Sequence, residues 1–211
     1  MGSCAADSVS LYVVCNAVPE DNCSVTPDGD LCYAQGVLNL EYLADPQVNE
    51  GYTAALRVQS GLKPRTTEVP VQSEPNGMQV YEVEVEILDR AGNKPPLGVD
   101  LPNPYSVAVS SQHTLPGAVG LVGVELISPV YVQRLYDLEE SGAGLGRLQL
   151  RVILRGRTDG QVEVESAPWN WVVDLVRINL RDTARCVETD EVICGLGQDL
   201  AANICIPQDA P

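Results

Sequence analysis

The chain has 211 residues, of which 45% are hydrophobic and 20% charged, so it is long and apolar enough to bury a core of ordinary size. Its 29 acidic residues against 13 Lys and Arg give a formal net charge of -16. A surface that acidic repels nucleic-acid phosphates and anionic lipid headgroups, which excludes nucleic-acid binding and basic-patch membrane binding as expected functions. No run of about twenty apolar residues occurs, so no transmembrane helix is predicted.

Cysteine spacing indicates the cellular compartment. The seven cysteines lie in two groups near the chain ends and leave positions 33–185 without one. They lack the closely paired spacing of zinc ligands, and the only histidine, His113, is distant from all of them in sequence. We therefore expect disulfide bonds and an oxidising compartment. The cysteines expected to pair are Cys15, Cys23, Cys32, Cys186, Cys194 and Cys205.

The positions of these cysteines constrain their connectivity. Six cysteines allow fifteen pairings, and spacing alone does not choose among them. We expect one local bridge within the N-terminal three and one bridge from that group to the C-terminal group. Because each end contributes three cysteines, full pairing requires at least one bridge between the ends. The two termini are therefore expected to pack together.

Cys4 is the odd cysteine and follows Met1, Gly2 and Ser3. No signal peptide is visible, and these three residues read as a short leader in place of a removed signal. In a bacterial lipoprotein the first mature residue is a cysteine that carries the lipid. We expect Cys4 to carry a lipid anchor, and the alternative is a free thiol in a frayed terminus.

Period-two alternation predicts strands in the first half of the chain. Short strands are predicted at 9–14, 36–44 and 51–59, and the clearest strand at 78–89. Its apolar face carries Tyr81, Val83, Val85 and Ile87, and its opposite face carries Glu82, Glu84 and Glu86. We expect the glutamates to form a solvated face or to pair across strands with Arg147, Arg151 and Arg155.

The second half of the chain continues the pattern around a tight turn. Strands are predicted at 105–111, 117–127, 147–155, after residue 160, and at 169–181 with a bulge near Asp174. Residues 117–127 are apolar at both parities, which predicts a central strand covered on both faces. At Thr158-Asp159-Gly160, parity favours a three-residue loop with Gly160 in the left-handed conformation. This loop sets Leu154 opposite Val164 and Arg155 opposite Glu163, with Val162 facing inward.

About eight to ten strands with little helical pattern predict an all-β fold. The expected architecture is an antiparallel β-sandwich of immunoglobulin-like or similar type, with the disulfide-rich N- and C-terminal segments packed together. We divide the chain into a Cys-rich N-terminal segment (1–34), a β-sandwich core (35–182) and a Cys-rich C-terminal tail (183–211). The tail is expected to pack back on the N-terminal segment.

Few residues indicate a chemical activity. His113 is the only candidate base for a Ser-His-Asp triad, but no nucleophile motif accompanies it, so we expect a loop residue and no enzyme. Asp21, Asp28 and Asp30 are candidate calcium ligands, although their spacing is not that of an EF-hand. No cofactor is expected. Four aromatic residues are candidates for a sugar-stacking platform, with core packing as the alternative: Tyr131, Tyr136, Trp169 and Trp171.

Three segments carry a resemblance to a known group of proteins. They are 123–127 (Gly-Val-Glu-Leu-Ile), 150–158 (Leu-Arg-Val-Ile-Leu-Arg-Gly-Arg-Thr) and 162–166 (Val-Glu-Val-Glu-Ser), followed by a strand and a Cys-rich tail. Together they resemble secreted lipoproteins of unknown function that are typical of myxobacteria and their relatives. The resemblance spans roughly residues 50–205 and departs in the Cys-rich N-terminal section. It implies export and outer-membrane anchoring through Cys4, and it implies no activity.

These observations lead to one expected function and one alternative. We expect a non-catalytic structural or interaction module, either secreted or anchored in the outer membrane, with protein partners or self-assembly. Such a module is expected to act as a subunit of a surface assembly and to contact the membrane only through Cys4. The alternative is a carbohydrate- or calcium-binding domain of the cell surface.

Overall fold

The structure, a computed structural model, describes residues 10–20, 23–63, 76–109, 111–178 and 198–199. This part of the chain is mostly β and contains nine strands and two helices. No helix in it has the length and apolar character to cross a membrane. In chain order the elements are β1 (Leu11–Asn16), β2 (Gly36–Asn39), α1 (Leu40–Leu43), β3 (Tyr52–Ser60), β4 (Met78–Asp89), β5 (Tyr105–Ala108), β6 (Val119–Ile127), α2 (Pro129–Glu140), β7 (Arg147–Thr158), β8 (Glu163–Glu165) and β9 (Trp169–Val176).

The strands form two sheets. One has three strands in the order β1-β3-β6, all antiparallel. The other has six, in the order β2-β9-β7-β4-β5, with β8 paired to β7. The prediction of purely antiparallel pairing is wrong, because β2 runs parallel to β9 and Leu11 forms an isolated parallel bridge with Ser166. Parallel neighbours need a long crossover connection, and strands β3–β8 with both helices lie between these two strands in sequence.

One hydrophobic cluster contains buried side chains from both sheets and from α2, including Leu56, Val122, Leu135 and Leu150. The alternation in β7 follows the sequence pattern, since Leu148, Leu150, Val152 and Leu154 are all fully buried. Burial of such aliphatic side chains contributes about 1.5–3 kcal/mol each and is the main stabilising term of the fold.

A bulge in β4 changes the predicted orientation of Tyr81. The pairing of β4 with β7 shifts between Val80 and Glu82, which leaves Val80 only 3% exposed and Tyr81 42% exposed. The prediction that Tyr81 faces the core is therefore wrong, while Val83, Val85 and Ile87 are buried as predicted. A bulge adds one residue to a strand, so the alternation changes phase at that point.

The turn between β7 and β8 has the predicted loop length but a different register. Arg155 lies opposite Glu165, Gly156 opposite Val164 and Arg157 opposite Glu163, so the predicted pairing of Arg155 with Glu163 is wrong by two residues. The left-handed residue is Gln161, at φ 64°, and not Gly160. A shift of two preserves parity, and Val164 therefore stays on the buried face as predicted. Val162 is 61% exposed and does not face inward.

Helix α2 is the largest element that the sequence analysis missed. Ser128 precedes it with extended backbone, and Pro129 occupies the first turn, where proline is favoured. Its buried residues, Tyr131, Val132, Leu135 and Leu138, follow the three- and four-residue spacing of an amphipathic helix. The signal was thus present in the sequence.

Three further strand predictions need correction. The strand predicted at 36–44 ends at Asn39, and α1 follows it. Strand β6 lies at the end of the three-stranded sheet and is not central. Its inward residues are buried, whereas its outward residues are half-buried or, at Gly123, exposed: Val119, Leu121, Gly123 and Glu125. Asp174 lies in regular register opposite Arg147, so β9 has no bulge there.

Candidate functional site

The part of the N-terminal segment that follows β1, described at residues 17–20 and 23–34, is tied to β1 by a disulfide bond. Cys15 of β1 bonds Cys32, and residues Ala17 and Cys32 also form a β-bridge. This is the predicted local bridge. Cys23 is disulfide-bonded as well, with a partner outside the described residues. The other predicted half-cystines, Cys186, Cys194 and Cys205, lie outside the described residues, as does Cys4.

Two residues of the predicted C-terminal tail contact both sheets. Gln198 forms a β-bridge with Leu38 of β2, and its side chain bonds Thr53 of β3 in both directions at 2.8 Å. The Asp199 amide donates to the carbonyl of Val37, and the Val37 amide donates to the Asp199 carboxylate, each at 2.8 Å. Val37 thereby has both backbone groups bonded to Asp199.

A buried polar network surrounds the Asp199 carboxylate. The Tyr52 hydroxyl donates to it, with distances of 2.9 and 3.0 Å to its two oxygens, and the Asn16 amide nitrogen lies 3.4 Å from Oδ2. The Trp171 indole Nε1–H in turn donates to the Tyr52 oxygen at 2.9 Å. The network therefore joins β1, β2, β3 and β9 to a residue near the chain end.

Gly36 provides the space for this network. Tyr52 is fully buried, and a Cβ on Gly36 would lie 2.4 Å from its hydroxyl oxygen and 2.8 Å from Trp171 Nε1. Both distances are shorter than real Cβ atoms show, so any side chain at this position would displace the hydroxyl. The absence of a side chain at the start of β2 is thus what allows Tyr52 to reach Asp199.

The electrostatics of the site follow from burial. Burial raises the pKa of Asp199 from its ordinary 3.8 to about 6, and hydrogen bonds from Val37, Tyr52 and Asn16 oppose that rise. No Lys or Arg of the described residues contributes to this shift or pairs with the carboxylate. Burial also raises the pKa values of Tyr33 and Tyr52, with the Asp199 charge as the second cause, so both phenols stay neutral.

A cavity of about 310 Å³ opens beside this carboxylate. We call it the junction cavity, because its walls come from the N-terminal segment, from the end of β1, from β3 and from the chain-end residues. Its size is at the lower end of small-ligand sites. Its lining residues are Asn16, Ala17, Pro19, Cys23, Val25, Tyr33, Thr53, Ala54, Ala55, Gln198 and Asp199.

Replacing Asp199 with Asn is expected to change how stability depends on pH. A folded-state pKa near 6 against the ordinary 3.8 means that the folded protein binds more protons between those values, so its stability falls as pH rises through that window. The unfolding free energy of the parent protein, relative to the variant, should be about 2 kcal/mol lower at pH 7.5 than at pH 4.5. Urea denaturation of both proteins at both pH values measures the difference, and a pH-independent difference would contradict the assignment.

His113 lies elsewhere, in a solvent-exposed pair with Asp159 at 2.8 Å. The groove next to Asp159 measures about 360 Å³. No serine appears among the described residues that line it, which are Gln79, Tyr81, Arg157, Thr158, Asp159 and Gln161. A triad needs a nucleophile within hydrogen-bond reach of the base, and this arrangement supplies a base and a carboxylate alone.

The calcium candidates do not gather into a ligand set in the described part of the chain. Asp28 and Asp30 lie in an exposed turn, and Asp21 lies outside the described residues. No group of three His, Cys, Asp or Glu side chains in metal-binding reach occurs within the described ranges. Calcium takes six to eight oxygen ligands, so two exposed carboxylates are insufficient.

The outer face of the six-stranded sheet carries paired charges. Arg155 contacts Glu82, Glu84 and Glu165, at 2.5, 2.7 and 3.3 Å. Arg151 and Lys94 both contact Glu86, at 3.5 and 2.9 Å. The expectation of cross-strand pairing with the Glu82–Glu86 row is confirmed for Arg151 and Arg155, whereas Arg147 pairs with Asp174. The net charge of this face is therefore small.

The aromatic candidates for a sugar platform are dispersed. Trp169 and Trp171 stack on each other with ring centroids 5.1 Å apart, but Trp171 is 4% exposed. Tyr131 is 5% exposed and stacks on Tyr105, and Tyr136 lies under Arg177. Core packing, the alternative interpretation, is the correct one for Trp171 and Tyr131.

The residues of the Asp199 network were not identified as a site in the sequence analysis. Asn16, Gly36, Tyr52, Trp171 and Asp199 are far apart in the chain and belong to no local motif, so no sequence signal marks them as a set. Comparison with known proteins adds no assignment, since no family model and no curated protein matches the chain. The site is interpreted from its own geometry.

Proposed function

We propose that this protein is a non-catalytic interaction module that acts outside the cytoplasm, with its binding surface at the junction cavity. The observation that carries the proposal is the concave site that the disulfide-tied N-terminal segment and the chain-end residues build against β3, with a desolvated carboxylate in its wall. Concave sites with a few convergent polar groups are the usual location of ligand and partner binding.

Disulfide chemistry supports the proposed compartment. The Cys15–Cys32 bond and the bonded state of Cys23 fit an oxidising environment. Together with the resemblance to secreted lipoproteins, they support export, with Cys4 as the lipid attachment point on the outer membrane. We also propose that the two sheets stack as a β-sandwich of immunoglobulin-like or similar type, because their buried faces share one cluster.

The two sheets differ in the charges that they carry, and this difference supports a binding surface at the junction cavity. The outer face of the six-stranded sheet has its charges satisfied internally, by contacts such as Arg155 with Glu82 and Arg157 with Glu163. Such solvated ion pairs contribute little to binding and need no partner. The three-stranded sheet instead borders the cavity with Thr53 and Ala55, which carry no charge. A partner is therefore expected at the cavity and not on the charged face.

Site-specific photo-crosslinking tests this proposal in the native cells. Tyr33 lines the cavity, and Tyr81 lies on the charged face, so each can be replaced by p-benzoylphenylalanine as a matched aromatic substitution. We expect a discrete crosslinked species from position 33 and none from position 81. No discrete species from position 33, or the same species from both positions, would contradict the proposal. Mass spectrometry of the native protein, intact and after reduction, checks for lipid on Cys4 and counts the bridges.

A further inference from the structure

We propose that the junction cavity binds a primary ammonium group through the carboxylate of Asp199. The inference rests on the proposed function and specifies the chemistry that the site recognises. The same group occurs on small free amines and on the lysine side chain of a partner protein. The ammonium group is the chemistry that both sources have in common, and a comparison of two cationic probes separates the sources.

The described residues supply no counter-charge to the Asp199 carboxylate. The Asp199 carboxylate is largely buried, yet each group of the described residues that contacts it is neutral: the Val37 amide, the Tyr52 hydroxyl and the Asn16 amide. A desolvated carboxylate without a cation is unfavourable, and a bound cation would remove that penalty. In a cavity that excludes part of the water, the attraction between opposite charges is stronger than at an open surface.

The Asp199 carboxylate has acceptor capacity that its hydrogen bonds with the described residues leave unused. Oδ1 accepts from the Val37 amide at 2.8 Å and from the Tyr52 hydroxyl at 2.9 Å. Oδ2 has a 3.0 Å contact with the same hydroxyl and a long contact of 3.4 Å with Asn16. A carboxylate oxygen has two lone pairs, and the hydroxyl has only one proton to give, so Oδ2 retains room for a strong donor. An ammonium group supplies three donors and needs no acceptor in return.

The other described residues of the cavity wall favour an ammonium cation over an anion or a divalent metal ion. Tyr33 adds an aromatic ring, a favourable neighbour for an ammonium cation. No Lys or Arg occurs among the described lining residues, so an anion would find repulsion from Asp199 and no partner. Asp199 is also the only carboxylate among them, which is too few oxygen ligands for a divalent cation. The volume of about 310 Å³ fits a short alkyl chain better than a folded element.

Calorimetric titration of the full chain tests the inference with two cationic probes. The probes are n-butylammonium chloride and Nα-acetyl-lysine N-methylamide, and the neutral control is the Nε-acetylated form of the lysine probe. We expect both cations to bind at pH 7.5 and the neutral control to bind at least about tenfold more weakly. Binding should weaken about tenfold at pH 5, where a carboxylate with a pKa of about 6 is largely protonated. The facing titratable groups, Tyr33 and Tyr52, stay neutral across this range.

Two matched variants assign the effect to one carboxylate. Asp199→Asn should weaken binding of both cations at least about tenfold at pH 7.5, a loss of about 1.4 kcal/mol. Asp100→Asn removes one exposed carboxylate from a loop outside the cavity and should leave binding unchanged. Should Asp199→Asn fail to fold, the pH dependence of the parent protein remains decisive.

The results distinguish a partner's lysine from a small free amine, and they test the ammonium chemistry separately from the interaction function. Tighter binding of the lysine probe than of butylammonium assigns the site to a partner's lysine, and the reverse assigns it to a small free amine. Equal binding of the charged and Nε-acetylated probes, or no binding of either cation, overturns the inference. If crosslinking through position 33 still occurs in that case, the interaction function stands and only the ammonium chemistry is wrong.

Discussion

Gly36→Ala is expected to lower the free energy of unfolding by about 2–4 kcal/mol. The added methyl would lie 2.4 Å from the hydroxyl oxygen of Tyr52, a side chain that is fully buried and cannot swing into solvent. Relief of the overlap must move the hydroxyl away from Asp199 and Trp171, which leaves buried polar groups without partners. Both the overpacking and the lost hydrogen bonds destabilise the folded state.

Gly123→Ala is the matched control for that experiment. Gly123 also lies in a strand, but nothing comes within 4 Å of a Cβ built there, and its φ is not in the left-handed region. The control should be neutral or up to about 1 kcal/mol more stable, because alanine restricts the unfolded chain. Urea denaturation of both variants at pH 7.5 measures the comparison. Equal stabilities would show that the space at Gly36 is not limiting.

Removal of the Cys15–Cys32 bond has the second large expected effect. The bond closes a loop with a sequence separation of 17 residues, for which chain entropy predicts a loss of about 3 kcal/mol. The Cys15→Ala, Cys32→Ala double variant removes both sulfurs, so neither position is left with an unpaired thiol. Its unfolding midpoint in urea, against that of the parent protein, measures the loss.

The same double variant is expected to weaken binding at the junction cavity. The bond fixes the segment that supplies Pro19, Val25 and Tyr33 to the cavity wall. Even a double variant that remains folded should therefore bind the ammonium probes more weakly than the parent protein does. A free energy of unfolding within about 0.5 kcal/mol of that of the parent protein, the size of an ordinary surface change, would indicate that the segment is held by other contacts.

The sequence pattern predicted strands best where both of their faces follow strict alternation. In β7, charged and aliphatic side chains alternate, and the structure buries the aliphatic ones as predicted. The bulge at Tyr81 interrupts the same pattern in β4, and alternation carries no mark of an inserted residue. The predicted β7–β8 register was wrong by two residues, because parity cannot distinguish registers that differ by two. In addition, Gln161 takes the left-handed conformation that was expected of Gly160.

The site was less predictable than the strands for a physical reason. Helix α2 has local signals in Pro129 and in the spacing of its buried residues, so a fuller search for helical periodicity would have found it. The Asp199 network has no such local signal. Asp199 contacts Asn16, which is 183 residues away, and Tyr52, which is 147 residues away. In the sequence, Asp199 is one of 29 acidic residues, and only the fold distinguishes it from the others.

Asp199 also occupies backbone groups at the edge of a sheet. Strand β2 lies at one end of its sheet, a position where an unoccupied row of amides and carbonyls can recruit a foreign strand and begin a fibre. At Val37 both of these groups already bond Asp199, and Leu38 is bridged to Gln198. The contact beside the junction cavity thus also occupies the backbone groups through which a foreign strand would pair with this margin of the sheet.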